Sequence, residues 1–321
     1  MKYVGLHTQQ ARNNFRSILL LCLFPCLVIL LTFLFAALLV FFTTDDHTNL
    51  VIWEHSLLIV RNLAPFVFGG VAIWFLIAYF ANTAIIRSAT GARSLERKEN
   101  KRVYNLVENL CMTKGMSIPK IDIIEDDSLN AFASGINNRT YTVSLSRGII
   151  NKLNDEELES VIAHELAHIR NRDVRLLIVS IVFTGIFAML TQIALRVLLN
   201  SSRRSRNSKD GKGAIVIVLI ALVVVVIGYF FASLMRFAIS RNREYMADAA
   251  AAEMTRRPHA LADALRKISQ DPNIEAVTRD DVAQLFIEHP RRKKEKFFSG
   301  ISSLFATHPP IKKRIALLEQ F

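Results

Sequence analysis

His164-Glu165-Leu166-Ala167-His168 is the stretch of this chain whose residue types and spacing suit metal chemistry. Asn154, with Glu157 three residues on, reads as an N-cap, so the spacing predicts a helix that starts there and carries through both histidines. Side chains four apart lie one above the other on a helix, so the two imidazoles point the same way and can grip one ion. Zinc bonds imidazole nitrogen at about 2.0–2.1 Å, and a catalytic zinc takes three protein ligands and a water. Glu165 lies about 100° round the helix, where it can reach that water as general base. Zinc lowers the pKa of a bound water from about 15.7 to about 7, so a carboxylate is base enough at neutral pH.

The third ligand has to come from elsewhere. In Ser240-Arg-Asn-Arg-Glu-Tyr-Met-Ala-Asp248, which runs on into alanines, Glu244 and Asp248 are four apart on one face of a predicted helix. Glu244 can complete a site of two histidines and one glutamate, and Asp248 can accept the far N–H of a ligand histidine and hold its tautomer. The other closure, a histidine six residues after His168 with a glycine at three, is excluded by Asn171 and Val174. Each residue also has a plain reading. The histidines border the apolar arc of Leu158, Val161, Ile162, Leu166 and Ile169, and Glu244 and Asp248 sit beside Arg241 and Arg243, as on any solvated face.

Positioning these residues falls to a chain rich in apolar side chains. Its 321 residues are 51% hydrophobic, with mean hydropathy +0.29. Ile18–Phe42 carries no charge over about 25 residues, longer at 1.5 Å per residue than the roughly 30 Å hydrocarbon core of a bilayer. It is too long for the apolar region of a cleaved signal peptide. Residues 43–56 contain Asp45, Asp46 and Glu54 but no Lys or Arg, and Leu63–Ile86 returns the chain to a segment with Arg87, Arg93, Arg97, Lys98, Lys101 and Arg102. That asymmetry puts the basic segment in the cytosol. Two further apolar runs, Val174–Leu199 and Ala214–Met235, flank a polar hairpin with Arg203, Arg204, Arg206, Lys209 and Lys212. If both runs span, this hairpin violates the positive-inside rule; a re-entrant hairpin is the alternative. Either way the crossings are even in number, so residue 240 returns to the side that residue 173 left.

The remaining segments build the soluble part. Ser94–Gly115 has a helical pattern; Ile121–Glu125, Asn130–Gly135 and Thr140–Leu145 read as short strands. Zinc peptidases commonly hold an extended substrate as an added strand on a sheet edge, though a plain packing hairpin has the same pattern. Pro258–Ser269 and Lys312–Gln320 read as helices, and Arg291–Lys296 as a basic loop able to touch anionic headgroups. The net charge of +12 lacks any recognised nucleic-acid motif, so lipid headgroups are the predicted partner. Three cysteines, two of them inside an apolar run, suggest a reducing compartment and no disulfide framework.

Taken together, Leu129-Asn-Ala-Phe-Ala-Ser-Gly, His164-Glu-Leu-Ala-His-Ile-Arg-Asn-Arg-Asp, Ser240-Arg-Asn-Arg-Glu-Tyr-Met-Ala-Asp and Thr307-His-Pro-Pro-Ile-Lys-Lys-Arg-Ile-Ala-Leu-Leu resemble the membrane zinc metallopeptidases of the HtpX heat-shock protease type, relatives of the CAAX prenyl proteases. The resemblance implies that His164, His168 and Glu244 bind one zinc ion per chain and that Glu165 activates water. It also implies that Asp248 orients a ligand, that Asn130 and Ala131 lie on the substrate-binding edge, and that His308 stands near the substrate oxygen. It further implies polypeptide substrates, quality control of misfolded membrane proteins, and a multi-pass position in a bacterial inner membrane with the active site facing the cytoplasm. The fold expected is mainly α with a small β-sheet: about four transmembrane helices and a gluzincin-like metallopeptidase domain. Its parts are an N-terminal hairpin of two spans (1–86), a first cytosolic part (87–173), a second membrane hairpin (174–240) and a second cytosolic part (241–321). The competing readings are a CAAX-type prenyl-protein protease and a non-catalytic zinc-binding scaffold.

Overall fold

The computed structural model describes residues 6–44, 48–204, 210–237, 242–270 and 309–320. The chain divides into two compact units. One comprises Met1–Ser17, Tyr79–Ile178 and Phe237–Phe321, and the other Ile18–Ala78 and Val179–Arg236.

The second unit is made of long apolar helices. They belong to α1 (Leu6–Thr43), α2 (Asn49–Thr90), α6 (Asp173–Arg204) and α7 (Asp210–Phe237). Among the described residues, Ala11–Thr43, Asn49–Thr90 and Asp173–Ile193 are long and apolar enough to cross a membrane, while the apolar stretch of α7, Val216–Phe231, is shorter. Pro25 and Pro65 stand inside α1 and α2, as bilayer helices tolerate. Phe24 stacks on Phe183 with ring centroids 4.1 Å apart, and Phe75 and Phe187 meet Phe24 edge-on.

The first unit holds a sheet of four strands among its described residues: β1 (Ala92–Ser94), β2 (Lys120–Ile124), β3 (Ala131–Ser134) and β4 (Thr142–Ser146), in the order β1-β2-β4-β3. β2 and β4 are parallel, and β1 and β3 pair antiparallel to them. The helices of this unit are α3 (Lys101–Lys114), α4 (Arg147–Lys152), α5 (Asp155–Asn171), α8 (Asn242–Thr255), α9 (Pro258–Ile268) and α10 (Ile311–Leu318). α5 is the central one: α3, α8, α9, β3 and β4 all pack on it. Leu158, Val161, Ile162, Ala163 and Leu166 are buried around it. Ala247, Ala251 and Ala252 of α8 are buried too, and side chains that small let two helix backbones approach closely.

Several local expectations need correction. The helix predicted from Ser94 begins at Lys101, because Ala92–Ser94 pairs with Ile124–Asp122 and Asn100 caps the helix by accepting from Val103 N. Leu95 is buried from a loop position instead. α4 had no signal beyond six residues led by Ser146, whose hydroxyl accepts from Ile149 N. The helix that carries both histidines ends before the membrane segment. It stops at Arg172, which takes the left-handed conformation with φ of 61° and returns its N–H to His168 O and Ile169 O. Asp173 then starts a new helix.

Candidate metal centre and active site

Asn154 starts α5 and so sets where the histidines stand. Its side chain accepts from Glu157 N at 2.9 Å, and the Glu157 carboxylate accepts from Asn154 N at 3.0 Å, a reciprocal cap that satisfies two otherwise orphaned donors. Asp155, Glu156 and Glu157 occupy the first turn, where the helix dipole favours negative charge.

His164 is fully buried and His168 partly so. Their rings stand perpendicular with centroids 4.7 Å apart, and their Nε2 atoms face each other at 3.2 Å. Glu244 comes from α8, with Oε2 3.7 Å from His164 Nε2 and Oε1 3.7 Å from His168 Nε2. Four tetrahedral ligands at zinc bond lengths stand roughly 3.3–3.5 Å from one another, so these separations already approach those of a loaded site. Ligand atoms of all three residues lie within 4.8 Å of one another.

An aspartate stands behind each imidazole. Asp248 Oδ1 is 3.0 Å from His164 Nδ1, and Asp173 Oδ2 is 3.1 Å from His168 Nδ1. A carboxylate only accepts, so a neutral imidazole beside one carries its hydrogen on Nδ1 and turns the Nε2 lone pair to the centre. Two lone pairs and a carboxylate converging at such distances repel one another, and a shared cation relieves that repulsion. Burial alone would push the His164 imidazole down, but Asp248 and Glu244 outweigh it and hold the group up at about 9. The pocket favours positive charge.

Buried charge among the described residues gathers here. Glu165, Glu244, Asp173 and Asp248 surround the centre, each at most 5% exposed. Two buried guanidiniums face them: Arg243 Nε is 3.2 Å from Glu244 Oε1, and Arg314 Nη1 is 3.6 Å from Glu244 Oε2. The donor set, two imidazoles and a carboxylate that lie within 4.8 Å of one another, fits a divalent metal ion. Glu165 is buried, which raises its pKa above the ordinary carboxylate range, while both histidines and Arg314 pull it back. A carboxylate with a raised pKa is a stronger base than an ordinary one.

Two participants were not picked out from the sequence. Arg314, from α10, forks onto Asp248 through Nε at 2.8 Å and Nη2 at 2.7 Å. This holds the Asp248 carboxyl below its usual range even though burial raises it. Arg314 sits in the C-terminal motif, but nothing in that motif's spacing says that it turns inward. Asp173 closes the helix motif, and its role depends on the chain bend at Arg172. Asn130 directly precedes β3 and Ala131 opens it; β3 has β4 on one side and no further described strand on the other. Both are fully buried, and β3 packs on α5. His308 lies outside the described residues, as do Ser240, Arg241 and the basic run at 291–296.

Comparison with known proteins places this geometry. Peptidase family M48 matches residues 97–321, the span that contains α5, α8 and α10. The chain belongs to peptidase family M48. A protein from Bacteroides fragilis named "Protease HtpX homolog" is 67% identical over the full length of both chains. A second of that name, from Lactobacillus acidophilus, is 34% identical over 98% of this chain and 99% of its own. One from Listeria monocytogenes is 38% identical over 77% of this chain and 83% of its own. The solved structure of S. mikatae Ste24p is 19% identical with a TM-score of 0.42, covering 90% of this chain, which spans 61% of that one. Membership in M48 makes this chain a metalloprotease, and the three helices long enough to cross a membrane make it a membrane metallopeptidase. The non-catalytic scaffold and the prenyl-protein protease are not favoured.

Proposed function

We propose that the chain is a zinc endopeptidase of a bacterial inner membrane. In this reading it cuts extended segments of misfolded membrane proteins on the cytoplasmic side, as part of quality control under stress. The observation that supports this most is the convergence of His164, His168 and Glu244, with Asp248 and Asp173 behind the histidines. The names carried by its relatives point the same way.

In this reading His164 and His168 hold zinc through Nε2 and Glu244 holds it through its carboxylate. Zinc, when bound, supplies Lewis acidity toward the scissile carbonyl and the attacking water. The substrate lies extended along Asn130–Ser134, where β3 is the outer strand of the sheet among the described residues, so that backbone hydrogen bonds hold it without reading its side chains. Glu165 takes a proton from the water at its carboxylate and passes it to the leaving amine. Asp248 keeps the His164 tautomer fixed while charge changes beside it. The resemblance alone assigns His308 the role of stabilising the substrate oxygen.

The test is cleavage in detergent by the full chain. Glu165→Gln retains zinc and abolishes both cleavage of an unfolded membrane substrate and self-cleavage, and a chelator stops the parent protein. Continued proteolysis by Glu165→Gln overturns the assignment of the base.

A further inference from the structure

The tautomer of His168 is held by Asp173, and Asp173 is held in turn by a residue far from it in the chain. Asn13, at the foot of α1, is 2% exposed. Its Nδ2 donates to Asp173 Oδ1 and to Asn171 O, the latter at 2.9 Å. Asp173 Oδ2, the other oxygen, faces His168 Nδ1 at 3.1 Å. The path from Asn13 to the imidazole is therefore continuous, and its inner member Asp173 is 3% exposed.

We propose that Asn13 is a positioning residue of the metal centre, acting through Asp173 on His168. The inference rests on the proposed zinc site and adds to it a residue of the first membrane helix, outside the 97–321 region that matches the family.

The physical argument starts from the bend at Arg172. Because α5 ends there, Asp173 belongs to the next helix and is free to rotate relative to α5 unless something fixes it. An aspartate that orients a ligand histidine works only if its own carboxylate is oriented. Asn13 does this in two ways. One N–H occupies the oxygen that His168 does not use, which sets the carboxylate plane. The other bond goes to the carbonyl of Asn171, the last residue of α5, which fixes Asn13 to the helix that carries His168. An amide is neutral, so it orients Asp173 without withdrawing the negative charge that His168 Nδ1–H needs. A lysine at this place would compete for that charge, and an aspartate would repel it.

The readout is zinc affinity of the full chain in detergent micelles, by competition with a chromogenic chelator, in a Glu165→Gln background that prevents self-cleavage. Outer partners of metal ligands are typically worth about 10–100-fold in affinity, so Asp173→Ala falls in that range. Asn13→Ala, one step further out, weakens zinc binding by about three- to tenfold. The double variant binds as Asp173→Ala alone, because Asn13 acts only through that carboxylate. Ser17→Ala is the control: Ser17 is buried one turn along α1 and bonds only within it, to Asn13 O, so its zinc affinity stays at the parent value. Unchanged affinity in Asn13→Ala overturns the proposal, as does additive loss in the double variant. An equal loss in Ser17→Ala overturns it too, since the effect would then belong to packing of the helix. Failure of the parent protein to bind zinc instead refutes the site reading on which the proposal stands.

Discussion

Arg314 is costly to bury, and its partners determine what it does. At 1% exposure it has given up nearly all hydration, which is recovered only through good geometry and satisfied hydrogen bonds. The fork onto both oxygens of Asp248 provides that geometry. Arg314→Ala leaves Asp248 charged and desolvated, so stability should fall by about 3–5 kcal/mol, read as a lower melting temperature in detergent. Unchanged melting would refute this account. Arg314→Lys keeps the charge but loses the planar fork, so zinc affinity should fall more than stability does. His308→Ala should lower the cleavage rate by about 10²–10³ if it serves the substrate oxygen, with zinc content unchanged; a rate near the parent value would remove it from the mechanism. Cys111 behaves differently from any site residue. Burial pushes its thiol up to about 11, and since only the thiolate reacts, alkylation of the native protein at about pH 8 should leave it unmodified. Mass spectrometry after unfolding provides the comparison.

At the scale of elements, the turn from β4 into α4 depends on Gly148. A Cβ there would stand 1.9 Å from Asp127 O and 2.6 Å from Ser128 O, which are backbone atoms of the segment leading into β3. Gly148→Ala should therefore cost at least about 1–3 kcal/mol through overpacking. The displaced segment adjoins Asn130, so KM for an unfolded substrate should rise more than kcat falls; an unaltered KM would detach β3 from substrate binding. Gly148 carried no signal in the sequence, since its need arises from a loop some twenty residues upstream. The break at Arg172 was equally hidden. Arginine is a poor choice for a left-handed residue, and a carboxylate waiting at 173 to meet His168 is a tertiary reason for the chain to turn.

For the whole molecule, the topology of the second membrane hairpin is the point most open to a direct test. Asp173–Ile193 is long enough to span, whereas Val216–Phe231 is shorter. With both segments crossing, a cysteine at Asn207, in a background lacking Cys22, Cys26 and Cys111, should be labelled by an impermeant thiol reagent from the face opposite the metal centre. Labelling only from the face that carries the metal centre would establish the re-entrant arrangement.

Local periodicity made part of this protein legible without coordinates. Four-residue spacing places two imidazoles on one helix face, an asparagine followed by a glutamate three residues on starts that helix, and uncharged runs of bilayer length announce membrane helices. These are short-range properties, dictated by the helix repeat and by the cost of burying polar groups. What the tertiary structure alone decided are the partners separated by long stretches of chain: Arg314 on Asp248, Asp173 turned back onto His168, and Asn13 on Asp173 across 160 residues. Such contacts have no periodic signature, because a hydrogen bond between distant residues depends on how the whole chain packs and leaves no trace in the spacing of either neighbourhood.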